Sequence, residues 1–258
     1  MEQTCDQAVR LGLPSIAFTD HADFTPWVVE SRDDAPAWLR HRVTSDGTFV
    51  PPELDLTGYL ECLDRCRHLF PDLRILSGVE LSDAHWHREP VADLLGRVLF
   101  DRVVLGLHSA LGADGRFVEV LGPYDSRPSD EVVREYLVEI TRMIEAVDTF
   151  EVLAHIDYPL RNRAVPVSAQ EILKFEIEYR AALRALARSD RALEVNTQVP
   201  LHSEVLRLWR EEGGKVISFG SDAHDPLSLA RGFSEAAAMA EGHGFKPGRH
   251  PYDLWYRP

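Results

Sequence analysis

Two hydrophobic periods take turns along this chain. Short apolar runs of strand length recur at 16–18, 76–79, 103–107, 151–154, 192–195 and 217–219. Between them lie segments whose apolar residues fall at helical spacing. Leu56, Tyr59, Leu60, Leu63 and Cys66 form one such stripe within 56–70; Val133, Leu137, Ile140 and Ile144 form another within 130–146. Further helices are expected at 2–12 (stopped by Gly12), 89–97, 168–187, 203–212 (ended by Gly213-Gly214) and 227–241. Ser168 with Glu171 three residues on reads as a capping box, in which side chain and backbone satisfy each other's hydrogen bonds at a helix start.

Six strands, each followed by a helix, imply right-handed crossovers and a parallel sheet. The expectation is one α/β domain over 1–258, with its core at about 2–241 and a tail at 242–258. The first visible element is a helix with no strand before it, so a barrel built this way is expected to lack its first strand. Two polar stretches, 23–52 and 109–128, are too long for ordinary connections and read as lids or binding loops.

The residues at the ends of the apolar runs turn the picture from fold to chemistry. His21 closes the first run, Glu80 the second, His108 the third and His155 the fourth, while Asp222 and His224 come after the last. Strand ends are where a β/α barrel collects its active site from distant parts of the chain. Imidazole and carboxylate donors together suit zinc, iron or manganese.

Composition narrows the partners. The chain has 258 residues and a formal net charge of −14, from 28 basic and 42 acidic side chains, with no basic block. Binding along a nucleic acid needs a basic footprint, so a general DNA or RNA surface is not expected. Cys5, Cys62 and Cys66 read as reduced thiols, because the helical four-residue spacing of the last two is not that of a zinc pair. No signal-peptide core and no run of membrane-spanning length is present in the sequence, and the expected compartment is the cytosol.

At Thr19-Asp20-His21, Gly78-Val79-Glu80, Gly106-Leu107-His108, Ala154-His155 and Gly220-Ser221-Asp222-Ala223-His224, the chain resembles the polymerase-and-histidinol-phosphatase (PHP) family, in its histidinol-phosphatase branch. The resemblance spans about 2–241. It implies a distorted seven-stranded, TIM-like β/α barrel, here without its first strand, that holds up to three divalent ions. Glu80 would bridge two of them, with His108 and His155 completing one site. Asp222 would belong to the other bridged site, and His21 and His224 to the third. The family's opening His-x-His has no counterpart before His21, which points to a natural start upstream of Met1 or to a lost strand.

The implied reaction is hydrolysis of a small phosphate monoester, with L-histidinol phosphate as the leading substrate. Metal-bound hydroxide would attack phosphorus, while a metal-bound histidine or water, acting through Asp222, would assist the departing alkoxide; Asp222 and His224 are the catalytic candidates. Arg161 and Arg163 lie beyond the His155 strand, and guanidinium forks suit phosphate. Asn196 ends its strand facing the same mouth, either to bind substrate or to cap its loop, and Glu194 points either into the barrel or toward the helices. His85 and His87 read as rim residues. Two alternatives accompany this reading. One is a nucleotide or oligonucleotide phosphoesterase, with Trp27, Trp38 and Phe49 as a stacking platform. The other is a degenerate barrel that only binds.

Overall fold

The computed structural model describes residues 1–29, 40–112, 114–120, 127–161, 167–250 and 252–258. Its main sheet places neighbours in the order β1 (Ser15–Ala22), β4 (Arg74–Ser82), β5 (Arg102–Gly106), β8 (Val152–Leu153), β9 (Ala192–Asn196), β10 (Val216–Gly220) and β11 (Trp255–Tyr256). The first six pair in parallel, each with its successor in that order, as expected of strand–helix units. A seventh strand joins from the tail: β11 lies antiparallel to β10. β1 and β11 are the two edges, so the sheet is open.

The helices follow the expected segments except near 227–241, where Pro226–Ser228 forms a 3-10 turn and the α-helix starts only at Phe233. They are α1 (Glu2–Arg10), α2 (Leu56–Leu69), α3 (Arg88–Arg97), α4 (Ser129–Ala146), α5 (Ala169–Leu173), α6 (Glu176–Arg188), α7 (Ser203–Glu211) and α8 (Phe233–Gly242). Ser168 and Glu171 form the expected capping box at the start of α5. The helix expected to run through to 187 is broken at Lys174–Phe175, where Phe175 leaves the helical conformation and is fully buried. There the Arg134 guanidinium lies over the Phe175 ring and donates to the Lys174 carbonyl at 2.9 Å.

Both long loops contain strands that no periodicity announces. β2 (Trp27–Val28), β3 (Thr48–Phe49), β6 (Ser109–Leu111) and β7 (Phe117–Glu119) assemble into a second sheet, in the order β3-β2-β7-β6. Trp27 and Phe49 face each other at 4.2 Å and pack with Val29 and Val43. Phe49 is therefore a core residue of this sheet and not part of a platform for bases. Trp38 lies outside the described residues.

The largest apolar core packs the helices on the main sheet, and Val104, Val152, Ala154 and Ala192 form a separate small cluster. Trp209, Tyr179, Phe175 and Phe245 are the largest fully buried members of the main core, which therefore extends into the tail beyond 241. Trp209 fits because Gly214 has no side chain; a Cβ there would lie 2.0 Å from the indole. Cys5 and Cys66 are buried between α1 and α2, and all three cysteines are free thiols. Among the described residues, no helix is long and apolar enough to cross a membrane.

A polar clamp fixes β4 against the chain that enters β5. Asp101 accepts hydrogen bonds from Ser77 N at 2.8 Å, Ser77 Oγ at 2.9 Å and Arg67 Nη2 at 3.2 Å. Burial opposes ionisation, but these hydrogen bonds and the Arg67 and Arg74 charges outweigh it and hold the carboxyl below its ordinary range. A depressed carboxyl adds stability above the unfolded-state value and loses it as pH falls through the folded one. Urea stability of the chain is expected to decline below about pH 4 partly through this group, and Asp101→Asn to flatten that acid limb. Acid limbs that superimpose for the two proteins would show the clamp to be inert.

Candidate metal centre

The sheet register sets which side chains meet. His21 on β1 pairs with Glu80 on β4, and Ser82 pairs with Gly106, two residues before His108. Adjacent residues on neighbouring parallel strands point to the same side, so these side chains converge at the strand ends. His155 follows β8 and holds φ at +29°, a conformation a histidine adopts only under constraint. Its carbonyl accepts from Tyr136 Oη at 3.0 Å and Tyr158 N at 2.8 Å, which keeps the residue turned inward.

Three donor atoms crowd one point. Glu80 Oε1 lies 2.8 Å from His155 Nε2 and 3.4 Å from His108 Nε2, and the two nitrogens are 3.1 Å apart. Ligands on one tetrahedral ion at bond lengths near 2.0–2.2 Å would stand about 3.3 Å from each other. His21 also comes in: His21, Glu80 and His108 offer donors that all lie within 4.8 Å of one another. Behind the group, a Cβ on Gly106 would sit 2.6 Å from Glu80 Oε1 and 2.9 Å from the His155 ring, so only glycine admits this arrangement. His155 Nδ1 is buried without a partner, whereas His108 Nδ1 is held by Ser82 Oγ at 2.8 Å. The donor set and its spacing fit a divalent cation.

Charge within the group is strongly coupled. Burial works against ionisation of Glu80, yet hydrogen bonds from His108 and His155 outweigh it and hold the carboxyl well below the usual range. Burial also opposes charge on His108, but Asp23 and Glu80 raise it well above an ordinary imidazole. For His155, burial prevails and its pKa falls. The buried anion is thus kept ionised by its neighbours and ready to meet a cation.

Asp222 and His224 stand across the cavity. Asp222, with φ at +52°, accepts from Arg161 Nη1 at 2.6 Å. His224 is exposed, its ring 5.7 Å from that of His21. Arg161 is almost fully buried, and its Nε and Nη2 have no hydrogen-bond partner; carboxylate oxygens of Asp157 and Glu194 stand 3.8 and 3.9 Å from them. Glu194 therefore points into the barrel, where burial chiefly pushes its carboxyl up to about 7; Arg161 opposes this, and Asp222 and Glu80 add to it. Asn196 is buried, with Oδ1 accepting from Gln198 N and Val199 N and Nδ2 donating to Glu194, a loop-capping arrangement. A cavity of about 1310 Å³ is lined by His21, Glu80, His155, Glu194, Asp222 and His224 among others.

Several participants carried no sequence signal. Ser82, Asp157 and Tyr158 lack a motif of their own, although Tyr158 lies 4.8 Å from the His155 ring and 5.4 Å from that of His108. Tyr158 also donates to Glu119 at 3.1 Å. Asp23 had one available clue, its position two residues beyond His21 at a strand end. His85 and His87 are engaged elsewhere, with Glu139 at 2.9 Å and Thr25 at 2.8 Å. Arg163 lies outside the described residues.

Comparison with known proteins gives concordant results. The family model described as PHP domain matches residues 1–198. A histidinol-phosphatase of Lactococcus lactis subsp. lactis (strain IL1403) is 24% identical over 234 residues, covering 84% of this chain and 76% of that protein. A probable histidinol-phosphatase of Thermotoga maritima is 32% identical over 154 residues, covering 57% and 58%. The fold matches the crystal structure of the Lactococcus lactis histidinol phosphate phosphatase, solved with zinc, L-histidinol and phosphate. The TM-score is 0.73 at 22% identity, over 95% of this chain and 87% of that one. A crystal structure from Listeria monocytogenes, described as that of a putative histidinol phosphatase, matches at TM-score 0.68 and 17% identity, over 91% of this chain and 92% of that one.

Proposed function

The chain belongs to the PHP domain family, and from that premise we propose that it is a metal-dependent phosphoesterase that hydrolyses a small phosphate monoester, L-histidinol phosphate being the substrate of first choice. The observation that carries this reading is the meeting of Glu80 Oε1, His108 Nε2 and His155 Nε2 within 2.8–3.4 Å at three strand ends. Relatives named histidinol-phosphatases support the substrate.

Glu80, His108, His155 and His21 would hold one part of the metal cluster, and Asp222 with His224 the other. Divalent cations bound there supply Lewis-acid charge to the phosphoryl oxygens and lower the pKa of water. The protein's own contribution is placement. Arg161, tied through Nη1 to Asp222, keeps two N–H donors without hydrogen-bond partners, a fork suited to two phosphate oxygens. Tyr158 walls the site beside His108 and His155. Glu194 faces Arg161 at 3.9 Å and accepts from Asn196 Nδ2, and so helps to hold the guanidinium in place.

The test is phosphate release from L-histidinol phosphate by the purified chain, with zinc, manganese or iron supplied in turn. Turnover that a chelator abolishes and added metal restores is the expected result. Release from nucleoside monophosphates alone would move the assignment to the nucleotide branch. Failure to release phosphate from any monoester, with metal bound, would leave a binding protein.

A further inference from the structure

We propose that Asp23 is a metal donor that shares a cation with His21; this rests on the reading of the strand ends as a metal cluster. β1 ends at Ala22, which turns into the core, so His21 and Asp23 on either side of it face the same way. Asp23 Oδ1 stands 3.6 Å from His21 Nδ1 and 3.6 Å from His108 Nδ1. Both separations are too long for hydrogen bonds. Ser82 Oγ already holds His108 Nδ1 at 2.8 Å, whereas His21 Nδ1 and Asp23 Oδ1 are both buried atoms with no hydrogen-bond partner.

A buried carboxylate oxygen facing a buried imidazole nitrogen without a bond between them leaves two polar atoms unsatisfied, an arrangement that costs stability. One cation between them would satisfy both. Two ligands on a single ion at bond lengths of 2.0–2.2 Å stand about 3.3 Å apart, close to the spacing seen here. The pair also lies between possible ligands: the His21 ring has His108 at 5.3 Å on one side and the exposed His224 at 5.7 Å on the other. A mixed imidazole–carboxylate set selects zinc, manganese or iron over calcium or magnesium. Asp23 therefore adds a second negative oxygen donor, beside Glu80, at the His21 end of the cluster.

The experiment measures metal and not turnover. Wild type, Asp23→Asn, Asp23→Ala and Asp23→Glu are stripped of metal, checked for unchanged melting temperature, and titrated with zinc against a competing chelator. Cobalt(II) is then substituted to read the coordination sphere from its visible absorption. Asp23→Asn and Asp23→Ala should lose one equivalent of tightly bound zinc, or weaken one site by about 100-fold or more, and alter the cobalt spectrum. Asp23→Glu should restore part of that affinity. Equal stoichiometry, affinity and cobalt spectrum in all four proteins would overturn the assignment of Asp23 while leaving the cluster intact. A wild-type chain that binds no zinc would overturn both.

Discussion

Replacing Glu80 with glutamine is expected to remove both metal binding and phosphate release while the chain stays folded. The substitution keeps the shape of the side chain but removes the charge on which His108 and His155 converge at 3.4 and 2.8 Å. A neutral amide is a far poorer ligand than a carboxylate, and among the described residues no other carboxylate oxygen is within hydrogen-bond reach of both imidazoles. Metal ions contribute several kcal/mol to phosphoryl transfer, so activity should drop by roughly 10³-fold or more. Elemental analysis and a phosphate-release assay check it together with far-ultraviolet circular dichroism. A folded Glu80→Gln protein that retains its metal and most of its rate would mean that the meeting of donors is structural only.

Gly106→Ala should damage the same site from behind. The added methyl would lie 2.6 Å from Glu80 Oε1 and 2.9 Å from His155 Cε1, and both of those atoms belong to side chains whose positions define the donor group. Gly106 is not among the glycines with positive φ, so the cost is steric crowding and not backbone strain. Overpacking of this kind costs about 1–3 kcal/mol. A displacement of the ligands by even a fraction of an ångström should reduce kcat/KM by about 100-fold. Gly96→Ala in α3 is the matched control. Nothing lies within 4 Å of a Cβ there, so helix propensity alone should make it neutral or more stable by about 1 kcal/mol. If both alanine variants behave alike in denaturation and in rate, the close approach at Gly106 is not required.

The relation between sequence and site differs from residue to residue. His21, Glu80, His108 and His155 each close a short apolar run, and strand alternation with crossover chirality is enough to bring such positions to one end of a sheet. Ser82 is different. Nothing in its local sequence distinguishes it, and its role depends on β5 lying beside β4 in one particular register. Arg161 had a signal in its chemistry, but its tie to Asp222 spans sixty-one positions and depends on how β8 and β10 flank β9. Asn196 shows a third case: its residue type suited either substrate or loop capping, and only its packing against 198–199 revealed the capping contacts.

Elements divide along the same line. The capping box at Ser168 and the stripe of α4 involve residues three and four apart, so any window of the chain contains the whole interaction. The second sheet does not. Its strands are two or three residues long and unite segments up to ninety residues apart, as when Val28 pairs with Val118. No period is visible in two residues, and such pairing is stabilised only once the main sheet has brought both loops to the same end.

By itself, then, the order of amino acids determined the strand–helix alternation, the parallel sheet and the donors at its strand ends, because these arise from near-neighbour periodicity and from handedness rules. Tertiary structure alone decided which of those donors share a point, that glycine must stand behind them, that Asp23 faces His21 without a hydrogen bond, and that the tail adds an antiparallel strand. Distances between side chains remote in sequence are set by sheet register and core packing, and these depend on the whole chain at once.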